Sequence, residues 1–220
     1  MKDFAVIFDM DGVIVDNAEF HKKAWREFCE KYGKHLSEDE MRSHIYGRTN
    51  RNTLKYIFDR KMSDLEIVEY GEEKERIYRA LYAPLLKTTP HLIDFLKLLQ
   101  ENKITTIIAT SADKPNIDFV LDGLEIRKYF SNITDASEVK NGKPNPEVYL
   151  LAAKKIGFDP NCCIVIEDSV SGVRAGKAAG MKVIAITTTH TKNELGEADL
   201  IINDFSELTL GSKLHNLADL

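Results

Sequence analysis

The chain opens on a run that is apolar at every position, Phe4-Ala5-Val6-Ile7-Phe8, and stops abruptly at Asp9-Met10-Asp11-Gly12. Consecutive apolar residues over so short a length fit a strand buried on both faces of a parallel sheet. The pattern then changes. From Ala18 to Tyr82 the period is helical and the sequence highly charged, with no strand among it. Ala24, Trp25, Phe28, Cys29 and Tyr32 recur at helical spacing, and Gly33 fits the stop. Ser37-Glu38-Asp39-Glu40 reads as a capped start, and a long helix is predicted from Asp64 to Tyr82. Pro84 and Pro90 bracket a connector. Beyond it the two periods alternate. Strands are predicted at 105–110, 132–134, 163–167, 182–186 and 200–202, with helices at 91–101, 116–121, 146–156 and 172–179.

Alternation of this kind implies right-handed crossovers and a parallel sheet. The fold class expected is α/β: a Rossmann-like parallel sheet with helices on both faces, plus an inserted all-α cap. Residues 1–16 and 84–220 would form the core and 17–83 the helical insert. An insert placed just after the first strand would act as a lid. No internal repeat or low-complexity segment is visible.

Composition narrows the picture. The 220 residues carry a net charge of −5, with 43% hydrophobic and 30% charged residues, enough for a full core. The negative balance argues against a nucleic-acid footprint, and no basic run suits a membrane surface. No apolar run approaches the roughly 20 residues of a membrane span. Cys29, Cys162 and Cys163 show no zinc or redox spacing, so they are expected to be small hydrophobes in a reducing compartment. The last two, read as strand neighbours, would point to opposite faces. A cytoplasmic monomer is expected.

Four strand ends carry polar signals: Asp9 and Asp11, Thr110-Ser111, Lys143 in Gly142-Lys143-Pro144-Asn145-Pro146, and Glu167-Asp168. Open α/β sheets place ligands at the carboxyl ends of their strands, so the four would converge on one edge. Carboxylates as close as Asp9 and Asp11 need a cation or a shared proton, and oxygen donors suit Mg²⁺. Each signal alone has an ordinary reading. Asp168-Ser169 can cap the helix that follows, Thr110-Ser111 can be a strand-end turn, and Asp16 reads as a helix-entry cap. The order of all four together is what carries weight.

In these motifs, in Asp11-Gly12-Val13-Ile14 through His21-x-x-Ala24-Trp25, and in Glu167-Asp168-Ser169-x-x-Gly172-x-x-Ala175-Gly176-x-x-Ala179-Gly180, the chain resembles the haloacid dehalogenase-like hydrolase superfamily, β-phosphoglucomutase-like branch, over essentially its whole length. The resemblance implies phosphoryl transfer through an aspartyl-phosphate on Asp9. It implies Mg²⁺ held by Asp9, the backbone carbonyl of Asp11 and Asp168, with Glu167 acting directly or through a water. Lys143, the Ser111 hydroxyl and the Ala112 N–H would contact the phosphoryl group, and Asp11 would be general acid and then base.

The insert bears on the acceptor. His21 and Lys74 stand where the mutase pattern has its hinge histidine and partner lysine. In Tyr46-Gly47-Arg48-Thr49-Asn50-Arg51, however, Tyr46 and Asn50 replace the lysine and arginine of that pattern, with Arg48 or Arg51 as possible substitutes, and Asn17 replaces a threonine. This favours a phosphatase acting on a small phosphorylated metabolite such as a sugar phosphate; the alternative is a β-phosphoglucomutase-type mutase. A phosphorylated-Asp receiver domain fits less well, since it leaves the insert unexplained. A dinucleotide fold lacks its glycine fingerprint.

Overall fold

The computed structural model describes residues 4–46 and 48–208. Six parallel strands form one sheet in the order β3-β2-β1-β4-β5-β6. They are β1 (Ala5–Phe8), β2 (Thr105–Ala109), β3 (Ile133–Thr134), β4 (Cys163–Glu167), β5 (Lys182–Ile186) and β6 (Leu200–Ile202). The eight α-helices among the described residues are α1 (Ala18–Lys31), α2 (Glu38–Glu40), α3 (Asn50–Phe58), α4 (Asp64–Tyr82), α5 (Leu92–Glu101), α6 (Lys114–Gly123), α7 (Glu147–Ile156) and α8 (Val170–Ala178).

The chain divides into two compact units, Met1–Asp16 with Leu86–Leu220, and Asn17–Leu85. In the first, β1 lies at the centre, with Ala5 in register with Thr105 on one side and Cys163 on the other. Every residue of β1 is fully buried, which explains its unbroken apolar run. Side chains alternate between faces. Ala5 and Ile7 join the cluster that includes Val148, Tyr149 and Ala152 of α7 and Val173 of α8. Phe8 packs against the rings of Phe95, Phe130 and Phe205. The central strand is thereby fixed from both faces, and so is the place where Asp9 leaves it.

The helical unit contains no strand among its described residues. α1 and α4 pack together, and Trp25, Phe28 and Cys29 share a core with Met41, Ile45, Leu54, Ile57 and Ile67. Ser37 with Glu40 and Ser63 with Glu66 form reciprocal capping boxes that start α2 and α4. A π-helical turn, Met41–Ile45, continues α2 directly.

Three local expectations need correction. Asp16 is not the cap of α1: that position is held by Asn17, whose amide donates to the Tyr78 hydroxyl at 2.7 Å instead of capping. Cys162 lies in a 3₁₀ turn, Pro160–Cys162, not in a strand, because Asp159 caps that turn through the Asn161 N–H. α8 begins at Val170, two residues before Gly172, because the Ser169 hydroxyl accepts from the Gly172 N–H at 3.0 Å and caps the helix there.

Candidate active site

The carboxyl ends of β1 and β4, the two central neighbours, deliver Asp9, Glu167 and Asp168 side by side. One carboxylate oxygen from each lies within 4.8 Å of the others, and all three residues are buried. Lys143, from the segment preceding α7, enters the same cluster. Its Nζ is 3.1 Å from Asp9 Oδ2 and 2.6 Å from Glu167 Oε1, with only 7% of its side chain exposed. The Lys143–Pro144 peptide is cis.

Glu167 is the most enclosed of the group. Oε1 accepts from Lys143 and from the Tyr149 hydroxyl at 2.7 Å; Oε2 accepts from the Asp168 N–H, the Ser169 N–H and the Ser169 hydroxyl at 2.9–3.0 Å. Burial alone would raise its pKa, but the Lys143 charge and these donors outweigh burial and hold it below the usual carboxylate value. Lys143 behaves alike: burial opposes its charge, yet Asp9 and Glu167 prevail and its pKa rises.

Asp9 and Asp168 are in the opposite condition. Burial, with the charges of Glu167 and Asp11 adding to it, pushes Asp9 up to about 7 against the pull of Lys143. Burial and the charges of Glu167 and Asp9 push Asp168 well above its ordinary value. Asp9 Oδ1 is buried without a hydrogen-bond partner among the described residues. Oxygen donors, an orphaned carboxylate oxygen and like charges that raise one another's pKa values fit a divalent cation, which would supply the missing partner.

The backbone around the cluster is shaped to admit these side chains. Gly12 has φ +75°, and a Cβ there would lie 1.9 Å from Asp168 Oδ2; a Cβ on Gly172 would lie 1.7 Å from Glu167 Oε1. The Thr188 hydroxyl donates to the Gly12 carbonyl, and His190 Nδ1 lies 3.1 Å from the Asp168 carbonyl oxygen, so the loop after β5 braces both acidic turns. Asp11 is half-buried and bridges to Val15, and its carboxylate is not one of the three in the cation cluster. Ser111 is exposed at the end of β2, while the Ala112 N–H donates to the Thr110 hydroxyl at 3.1 Å. That local bond holds the donor expected for a phosphoryl oxygen.

Within the helical unit, Lys74 is 3% exposed and donates to Glu75 at 2.8 Å and to His21 Nδ1 at 2.9 Å. An ammonium only donates, so Nδ1 is the acceptor of that contact, while the Asn17 amide nitrogen lies 3.5 Å from Nε2. The His21 ring stacks on Tyr78 at 3.9 Å, and the Lys74 ammonium lies over Trp25 at 5.1 Å. The structure thus joins the predicted pair. Arg48 is exposed and donates to the Ser43 carbonyl at 3.3 Å, while Arg51 pairs with Asp64 at 2.8 Å; neither belongs to the His21 cluster.

Tyr149 and Glu75 escaped the sequence reading, and Thr188 and His190, in a run whose hydroxyls stand near a strand end, carried no role in it. A tyrosine on the apolar stripe of α7 looks like any core aromatic, and only its partner Glu167 marks it out. Thr188 and His190 belong to a polar run after β5 whose register is invisible without the sheet.

The model of the family "Haloacid dehalogenase-like hydrolase" matches residues 6–186. "Phosphorylated carbohydrates phosphatase" of Thermotoga maritima is 36% identical over 184 residues, 82% of this chain and 83% of that protein. "Beta-phosphoglucomutase" of Bacillus subtilis is 34% identical over 214 residues, 94% and 92% of the two chains. The crystal structure of a "HAD hydrolase, family IA, variant 3" from Entamoeba histolytica superposes with a TM-score of 0.89 at 32% identity, covering 98% of each chain. A match that runs from the first strand through the fifth, and relatives this similar over this length, place the chain in a family: it belongs to the haloacid dehalogenase-like hydrolases.

Proposed function

We propose that the protein is a Mg²⁺-dependent phosphatase of small phosphorylated metabolites, sugar phosphates first among them, working through an aspartyl-phosphate on Asp9. The observation that carries this is the pairing of a buried Asp9, one of its oxygens unpartnered, with a buried Lys143 at 3.1 Å beside Asp168. Phosphate esters repel anionic nucleophiles, so catalysis depends on positioning and charge neutralisation. Asp9 and Asp168 would hold Mg²⁺, which when bound offsets the negative charge of the phosphoryl group and of both carboxylates.

In the first half-reaction an Asp9 oxygen bonds to phosphorus as the ester oxygen leaves, taking a proton from Asp11. In the second, Asp11 takes a proton from water as its oxygen bonds to phosphorus. The bond to Asp9 then breaks and orthophosphate departs. Lys143 holds Asp9 in place, opposes the burial that favours its protonation and offers its remaining N–H to a phosphoryl oxygen. Ser111 is proposed as a further donor; Ala112 can join it only by giving up Thr110. His21, Lys74 and Arg48 are proposed on the substrate side, with Lys74 acting by way of His21, since its ammonium is already engaged.

The phosphatase reading draws on Tyr46 and Asn50, which stand where the mutase pattern has its phosphate-gripping side chains, and on similarity to the Thermotoga maritima phosphatase. The mutase alternative draws on the His21–Lys74 pair and on the near full-length similarity to the Bacillus subtilis enzyme. A panel of phosphorylated sugars and other metabolites, assayed for orthophosphate with Mg²⁺, tests the proposal. β-Glucose 1-phosphate is followed in parallel for conversion to glucose 6-phosphate. Orthophosphate release without isomerisation is expected; isomerisation without release would replace phosphatase by mutase.

A further inference from the structure

We infer that Tyr149 is a positioning residue of this site, setting where the Lys143 ammonium stands between Asp9 and Glu167. The inference rests on the proposed function. Three observations carry it. The Tyr149 hydroxyl donates to Glu167 Oε1 at 2.7 Å, the same oxygen that accepts from Lys143 at 2.6 Å. The Lys143 ammonium lies over the Tyr149 ring, 5.0 Å from its centroid. Tyr149 itself has no exposed surface and sits in the core formed by α7, α8 and the sheet, so its ring has no freedom to move away.

The geometry divides the work between the two parts of the side chain. Lys143 has three N–H bonds; Asp9 Oδ2 and Glu167 Oε1 take two, and one is left for substrate. The direction of the third follows from the placing of the first two. Asp9 Oδ2 is the weaker acceptor, at 3.1 Å against 2.6 Å. Glu167 Oε1 divides its acceptor strength between ammonium and phenol. Take the phenol away and that oxygen draws the ammonium more strongly, at the expense of Asp9. The ring, beneath the ammonium, blocks retreat in its own direction and contributes a cation–π attraction. Glu167 cannot compensate by turning, because its other oxygen accepts three donors from the turn that starts α8. The hydroxyl therefore sets the Lys143–Asp9 distance and the ring sets the plane. A tyrosine that merely filled the core would be replaceable by phenylalanine at no cost to the chemistry.

Two substitutions separate these contributions. Y149F keeps the ring and the volume and removes only the hydroxyl; Y149L removes both. Steady-state kinetics on the best ester of the panel give kcat and KM, and calorimetric titration with orthovanadate in Mg²⁺ reads binding without turnover. For Y149F we expect kcat to fall about tenfold, or about 1.4 kcal/mol, with KM changed less than threefold and vanadate bound about tenfold more weakly. Y149L should lose more in both. Wild-type kcat and vanadate affinity in Y149F would overturn the inference and leave the tyrosine a core residue, even if its melting temperature fell. Y149F decides the matter by itself should Y149L not fold. If the wild-type protein neither hydrolyses an ester nor binds vanadate, the proposed function fails and takes the inference with it; activity in the wild type with an indifferent Y149F fails the inference alone.

Discussion

Replacing Gly172 by alanine sets two physical effects of opposite sign against each other. Gly172 lies in the first turn of α8 with an ordinary helical backbone, so intrinsic propensity alone makes alanine better there by about 1 kcal/mol. Against that stands the space. The new Cβ would lie 1.7 Å from Oε1, 1.9 Å from Cδ and 2.3 Å from Oε2 of Glu167. A free carboxylate at the end of a flexible chain would swing aside. Glu167 is not free: it is fully buried and accepts five donors, two on one oxygen and three on the other. To reach an ordinary contact distance it must retreat by roughly 1.5–2 Å, too far to keep them all.

Hydrogen bonds to a charged acceptor are worth roughly 1.5–3 kcal/mol each, so losing two costs roughly 3–6 kcal/mol and outweighs the propensity gain. The net expectation is a destabilisation of roughly 2–5 kcal/mol. At this chain length each kcal/mol lowers the melting temperature by about 2–4 °C, giving a fall of roughly 4–20 °C. Circular-dichroism melts and urea midpoints of G172A against wild type measure it. Turnover should fall with stability, since a displaced Glu167 no longer fixes Lys143. A G172A protein that melts at or above the wild-type temperature would refute the reasoning. It would mean that Glu167 relaxes easily and is not the rigid centre of the site.

Three further outcomes follow from the same charges. Asp9→Asn should reduce ester hydrolysis roughly a thousandfold or more by removing the proposed nucleophile. Without Mg²⁺ the variant should melt no lower than wild type, because burial already disfavours the carboxylate it replaces and Lys143 keeps Glu167. Lys143→Ala should be costly on both counts: kcat lower by roughly 10²–10³-fold, and stability lower by roughly 3–5 kcal/mol in the same melts, since buried carboxylates lose their counter-charge. The metal-free protein should lose stability as pH rises from about 4 to about 7. Asp9, with its pKa raised from 3.8 to about 7, holds a proton in the folded state that the unfolded chain has released across that window, and Asp168 acts in the same sense. Glu167, lowered from 4.5, is ionised in both states over most of the window and adds no opposing slope there. Mg²⁺ should flatten the dependence, and EDTA should restore it and silence turnover; a pH-independent melting temperature in EDTA would contradict the burial assigned to Asp9.

The difference between what the sequence disclosed and what it withheld has a physical origin. Strand ends were legible because an apolar run that halts at an acid is a one-dimensional event: Asp9 just after β1 and Glu167-Asp168 at the end of β4 could be read without knowing any neighbour. The parallel topology then had to bring them together, since β1 and β4 pair with Phe8 opposite Ile166 and leave their next residues side by side. Helix starts were legible for the same reason, where Ser37 or Ser63 stands three residues before a glutamate. Tyr149 was not, because its period assigns it to the core and the assignment is true; its second duty depends on a carboxylate 18 residues away in sequence. Asn17 was hidden in the same way. Its place before α1 suggests a cap, but its amide reaches Tyr78, 61 residues on, a partner that only the packing of α1 against α4 supplies. Asp16 drew the capping role on local grounds, but α1 starts at Ala18 and leaves Asp16 one residue too early to cap it. Local patterns thus announce groups that act at chain reversals and strand ends. A polar atom on an otherwise apolar residue declares itself only through the group it is pointed at, which is why the role of Tyr149 hangs on a hydroxyl that can be removed while the rest of the side chain stays in place.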